Sequence, residues 1–201
     1  IADEGINGAI SGKKDDLQKI ILFIKKILKV KKLSLKINNV DFLPFNRLKL
    51  RLKKEIVSLG IKNLNITKNK AKYIKPSQWD SLIKNKEVKL IDTRNNYEIS
   101  IGSFEKSINP STNSFRDFPN KFKNLKLKKN QKIAMYCTGG IRCEKASAYL
   151  KTQGYKNVYQ LEGGILNYLD FKKNLLSKNS WKGECFVFDK RVTVNKKLIS
   201  G

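Results

Sequence analysis

The sequence predicts an α/β protein in two parts: an α+β unit over residues 1–70, then an α/β unit with a parallel sheet over residues 71–175. Two observations carry this. One amphipathic helical pattern followed by a strand-like alternation fills the first seventy residues. After residue 71, short apolar runs interleave with helical patterns, which implies parallel strands joined by crossover helices. A polar, lysine-rich stretch from Thr67 to Ser77 reads as the linker, and residues 176–201 as a C-terminal extension.

In the first unit, "ADEGINGAISG" has the glycine-rich look of a strand pair turning around Gly5 to Gly8. A helix is expected from Asp15 to Leu28. Leu17, Ile20, Ile21, Ile24, Ile27 and Leu28 share one face, and acids at the start with lysines at the end suit the helix dipole. "RLKLRLKKEIV" then switches to period two, so Leu48, Leu50 and Leu52 point one way and Arg47, Lys49, Arg51 and Lys53 the other. The order predicts a small sandwich of ferredoxin-like type. Because the chain opens on "IADEGINGAISG", residue 1 is expected to lie inside this domain.

In the second unit, Ser77 is expected to cap the helix "QWDSLI". "VKLIDTR" and "KIAMYC" read as buried strands, "EKASAYLKTQG" as a helix stopped by Gly154, and "NVYQLEGG" as a third strand with a glycine turn.

Composition sets the outer bounds. Hydrophobic and charged shares of 40% and 30% describe a soluble globular chain, and no apolar run is long enough to cross a bilayer. Three irregularly spaced cysteines point to a reducing cytosol rather than a disulfide scaffold. The net charge of +26 implies a polyanionic partner, although lysine with abundant Ile and Asn is also what an AT-rich genome imposes. Only six of the 43 basic residues are arginine, at 47, 51, 94, 116, 142 and 191. They run against that bias and fall largely inside segments read as structured or functional; where a planar fork matters, lysine is a poor replacement.

The chemistry concentrates in "MYCTGGIRCEKASAYL" (Met135 to Leu150). Cys137 ends a strand of a parallel sheet, where ligands of such sheets bind. Thr138, Gly139, Gly140, Ile141 and Arg142 curl into the following helix. The two glycines allow N–H groups to turn inward as an anion nest, and nest, helix dipole and Arg142 favour the thiolate. The chain has no histidine, so a Cys–His dyad and a two-His iron site are excluded. The bland alternative, a buried structural cysteine, does not account for Gly-Gly-Arg at the start of a helix. Cysteine phosphatases need Arg six positions after Cys, whereas here Cys143 stands at six and Arg142 at five.

These residues resemble the rhodanese domain. Cys137 to Arg142 match its active-site loop. "LIDTRNNYEISIGSFEKSINP" (Leu90 to Pro110) is similar to its opening motif, with Asp92, Arg94 and Glu98 in place, and "LEGGILNYL" (Leu161 to Leu169) to its Gly-Gly motif. Over almost the whole chain, "EGINGAISG", "FNRLKLRLKKEIVSLG", "YCTGGIRCEKASAYL" and "WKGECFVFDKRVTVN" together resemble the rhodanese-type tRNA uridine(34) hydroxylases. The resemblance implies an acylphosphatase-like N-terminal domain, a rhodanese-like second domain, and cytoplasmic hydroxylation of the wobble uridine at C5, with molecular oxygen as co-substrate. It implies that Cys137 is the essential residue, of persulfide-forming type. No flavin motif, haem ligand or iron triad is evident, and no residue is assigned to a metal. The family's strand before "EGINGAISG" and its cysteine-bearing tail after "TVN", a possible holder of metal ligands, are expected to lie beyond this sequence.

Two other functions stay open at this stage: a sulfurtransferase carrying sulfane sulfur on Cys137, and a non-enzymatic RNA-binding module. Cys143 reads equally as a resolving thiol or as packing, and Cys185 as core. Asp92, Arg94 and Glu98 read as ion pairs tying sheet to loop. The row Arg47, Lys49, Arg51, Lys53 repeats every 6.6 to 6.8 Å or about the phosphate spacing of an RNA strand, which makes it the candidate tRNA-backbone contact. The oligomeric state is not legible.

Overall fold

The computed structural model describes residues 1–173, 175 and 179–200, so Leu176, at the expected start of the extension, lies outside the described residues. The chain divides into two compact units, Ile1–Ile56 and Val57–Gly201.

The first unit holds one regular element, α1 (Lys14–Ile27), with Asp15 and Asp16 in its first turn and Lys25 and Lys26 in its last. None of its residues is buried. The strand expected over 47–53 is not formed. Leu48, Leu50 and Leu52 are 83%, 72% and 86% exposed, and Arg47, Lys49, Arg51 and Lys53 are exposed beside them. Of the glycine-rich strand pair there is a single bridge, Ala2 to Gly5. The beginning of a pairing exists: Ile1 N–H donates to Arg51 C=O, and Lys53 N–H donates to Ile1 C=O, each at 2.9 Å. An alternating pattern becomes a stable strand only when neighbours complete its ladder and cover its apolar face. Among the described residues of this unit nothing covers the leucines.

In the second unit, β1 (Lys72–Ile74), β2 (Val88–Asp92), β4 (Lys132–Tyr136) and β5 (Val158–Leu161) form a wholly parallel sheet in the order β1-β5-β4-β2. The register sets Asp92 beside Tyr136 and Met135 beside Gln160. Alternation along β4 sorts the core. Ile133, Met135 and then Cys137 pack with α5 (Ile141–Thr152) and α4 (Phe118–Lys123), while Ala134 and Tyr136 pack with α2 (Pro76–Lys84) and α6 (Gly164–Lys172) on the other face. Covered on both faces, β2 and β4 are apolar runs, and that is why they are legible in the sequence.

Four differences from the sequence reading matter. Residues 57–70, expected with the first unit, pack in the second, where Leu59 is buried among Ile91, Phe115 and Phe122. Helix α2 begins at Pro76 with Lys75 at its N-cap position and no side-chain cap, so Ser77 is not the cap; proline at N1 pre-sets the backbone instead. Residues 72–74, read as linker, form edge strand β1. The C-terminal segment also builds the domain: β6 (Trp181–Gly183) pairs with β3 (Gly102–Phe104), β7 (Cys185–Phe186) with β8 (Thr193–Val194), and Trp181, Cys185 and Val194 are buried in the core. α3 (Asn96–Ile99) lies between β2 and β3.

Candidate active site

Cys137 follows the last residue of β4 and is 1% exposed. Gly140 adopts φ of +99°, and its N–H donates to Cys137 Sγ at 3.1 Å. The positive φ is what aims this N–H at the sulfur, a conformation glycine adopts without strain. Gly139 has no such demand, since an added Cβ would meet nothing within 4 Å. Ile141 opens α5, and Arg142 and Cys143 lie buried in its first turn.

The floor of the loop is α6. Ile165 N–H donates to Cys137 C=O at 3.0 Å and Leu166 N–H to Thr138 C=O at 3.1 Å. Gly164, with φ of +67°, sits so close that a Cβ would stand 2.6 Å from Thr138 O and 2.8 Å from Gly140 N. Gly164, the first residue of α6, is a packing requirement of the cysteine loop. The doubled glycine was its only trace in the sequence.

Electrostatics come from two buried ion pairs. Arg142 spends its fork on Glu98, Nη1 to Oε2 and Nη2 to Oε1, each at 2.6 Å. Glu98, fully buried, also accepts the Asn95 N–H at 3.1 Å and lies 3.4 Å from Thr138 Oγ1. Burial pushes its carboxyl up, but the Arg142 bonds and charge outweigh this and hold it below the ordinary range. Arg94 makes the second pair with Asp92 and also donates to the carbonyls of Glu98 and Gly102. The expected triplet is therefore two separate pairs, and Glu98 belongs to the loop arginine.

On the Cys137 thiol, burial is the largest influence and pushes it up. The Cys143 side chain, the Arg142 charge and the N–H groups of Cys143 and Gly140 outweigh it, and bring the thiol down to about 6. Cys143 moves the other way. Burial and the neighbouring Cys137 push it well above its ordinary value, and it lies 3.4 Å from Thr93 Oγ1. One sulfur carries the charge and the other stays protonated, which a reactive thiolate beside a hydrogen-bonding thiol requires. Cys185 is buried in the core. Among the described residues no group of three or more His, Cys, Asp and Glu could hold a metal ion.

The family model of the rhodanese-like domain matches residues 75–170, and that of the UPF0176 acylphosphatase-like domain matches residues 1–56. A protein of Wolbachia sp. subsp. Brugia malayi, named tRNA uridine(34) hydroxylase, is 47% identical over 98% of this chain and 72% of its own length. Proteins of the same name from Wolbachia of Culex pipiens and from Pelagibacter ubique are 46% and 50% identical, over 69% and 65% of their lengths.

Proposed function

The chain belongs to the tRNA uridine(34) hydroxylase family, and on that premise we propose that it hydroxylates the wobble uridine of tRNA, with the Cys137 thiolate as the reacting group. The observation that carries the assignment to Cys137 is its sulfur, which accepts the Gly140 N–H at the carboxyl end of a parallel strand while its thiol is lowered to about 6. At neutral pH that sulfur is an anion ready to attack an electrophilic carbon or to carry a sulfane sulfur.

Arg142 acts on it as a fixed positive charge, held in place by Glu98 rather than free to bind substrate. In this reading molecular oxygen is the co-substrate: one of its atoms enters the C5–H bond to give 5-hydroxyuridine, and the other leaves as water with two electrons and two protons from an external reductant. The tRNA backbone is met by the exposed cations Arg47, Lys49, Arg51 and Lys53, and the enzyme works in the cytoplasm, where its substrate is. None of the described helices is long and apolar enough to cross a membrane.

The test is nucleoside mass spectrometry of tRNA from cells with and without the protein. Loss of 5-hydroxyuridine and its derivatives is expected. Loss of a thiolated uridine instead would assign sulfur transfer. Cys137→Ser, nearly equal in volume, should fold normally and leave product at the level of the deletion strain. A folded serine variant that still makes 5-hydroxyuridine would remove Cys137 from the centre.

A further inference from the structure

Tyr97 and Phe188 are 48% and 68% exposed, and both stack edge-to-face on the partly buried Phe186. The ring centroids are 5.3 Å apart for Tyr97–Phe186 and 5.0 Å for Phe186–Phe188. Three aromatic rings in a row are usually core, and here two of them face water. Their supports are fixed. Tyr97 rides on α3, one residue from the buried Glu98 that holds Arg142 of the thiolate loop. Phe188 sits in the turn of the β7–β8 hairpin, which is closed by Val187 N–H donating to Val192 C=O at 2.8 Å. Asp189 and Arg191 lock that turn by a two-pronged pair, Nε to Oδ1 at 2.9 Å and Nη2 to Oδ2 at 2.6 Å. The turn also carries the exposed Lys190.

We propose that Tyr97, Phe186 and Phe188 form a stacking surface that receives unpaired bases of the tRNA anticodon loop flanking the wobble uridine. The inference rests on the tRNA reading above. Rigid aromatic rings beside cations are the means by which proteins hold single-stranded bases, because every base presents a π-face and every nucleotide a negative charge. A paired stem offers no free face to such rings. The strongly positive chain matches that occupant. The position matches too, since α3 joins the rings to the residue that holds Arg142.

The test compares binding of the full 201-residue chain to an anticodon stem-loop RNA and to a duplex of the same stem, by fluorescence anisotropy. Tyr97→Ala and Phe188→Ala should each weaken stem-loop binding about ten-fold while leaving the duplex unchanged, and Phe188→Trp should keep wild-type affinity. Phe188 is so exposed that its truncation spares the core, so this variant decides the matter if Tyr97→Ala fails to fold. Unchanged stem-loop affinity, or equal loss on loop and duplex, overturns the proposal. So does loss of self-association with RNA binding intact, which would assign the rings to a second copy of the chain. Loop-selective loss in a protein whose deletion leaves 5-hydroxyuridine levels untouched would uphold the surface and sink the hydroxylase reading. Intact hydroxylation with unaltered loop binding would do the reverse.

Discussion

At Cys137 opposing influences meet on one sulfur: burial favours the thiol, while the Cys143 side chain, two N–H groups and the Arg142 guanidinium favour the anion. A free thiol ionises near 8.5 or so. With the folded value lowered to about 6, the thiolate adds stability that is present above the free-thiol value and is lost as pH falls through about 6. Ultraviolet titration of the thiolate should therefore show a midpoint near 6 that is absent in Cys137→Ser. Arg142→Gln should move that midpoint up by about one unit or more, since the cation that favours the anion is gone. It should also cost about 3–5 kcal/mol of stability in urea unfolding, because Glu98 is left buried without its partner. Arg142→Lys should hold the midpoint closer to wild type yet lower turnover, a point charge being unable to replace two parallel bonds to one carboxylate. A midpoint indifferent to Arg142→Gln would contradict the assignment of its charge to the sulfur. The cysteine loop was legible because its signals are contiguous: strand, Cys, Gly-Gly, Arg, helix. That Glu98 ties sheet to loop by an ion pair was read too, but not that its partner is Arg142, which lies 44 residues on and is brought to it only by the fold.

Where α6 meets the loop, the geometry depends on having no side chain at one position. Gly164 combines a positive φ with backbone atoms of Thr138 and Gly140 inside the radius of a methyl group. Gly164→Ala incurs the left-handed penalty of about 1–2 kcal/mol and must also push the loop away. It should lose at least about 2 kcal/mol in urea unfolding, with 5-hydroxyuridine formation abolished. Gly139→Ala, two residues past the sulfur and facing open space, should leave stability nearly unchanged. Equal behaviour of the two variants would mean that the contact with α6 does not position the loop. Element length explains what the sequence revealed of the fold. Strands β2 and β4, five residues each and mostly buried, stood out as apolar runs. Strand β1 is three residues long between lysines, and β6 and β8 are three and two residues, too short for any periodicity to register. The alternation over Arg47 to Lys53 misled in the opposite sense: its period is that of a strand, but no neighbouring face buries the leucines.

For the molecule as a whole, a net charge of +26 ensures attraction to any polyanion, so affinity for RNA alone would say little about where RNA lies. Salt dependence is more informative, because each phosphate neutralised by a particular cation contributes its own counterion release. Arg47 and Arg51 are exposed, as are the leucines between them, so reversing both charges disturbs no packing. They lie in the unit Ile1–Ile56, and the Cys137 loop lies in the other, so the thiolate titration should be unaffected. If the row contacts the tRNA backbone, Arg47→Glu with Arg51→Glu should weaken binding alike for all RNA sequences. It should also flatten the plot of log affinity against log salt by about 1.5, the release associated with two phosphates. Bulk charge alone would behave differently: the same double change made at two exposed lysines elsewhere, Lys62 and Lys86, would then flatten the slope equally. A slope altered at 47 and 51 but not at 62 and 86 places the backbone along the row. Equal slopes in folded variants would mean that the row is solvated surface and that the RNA is held elsewhere.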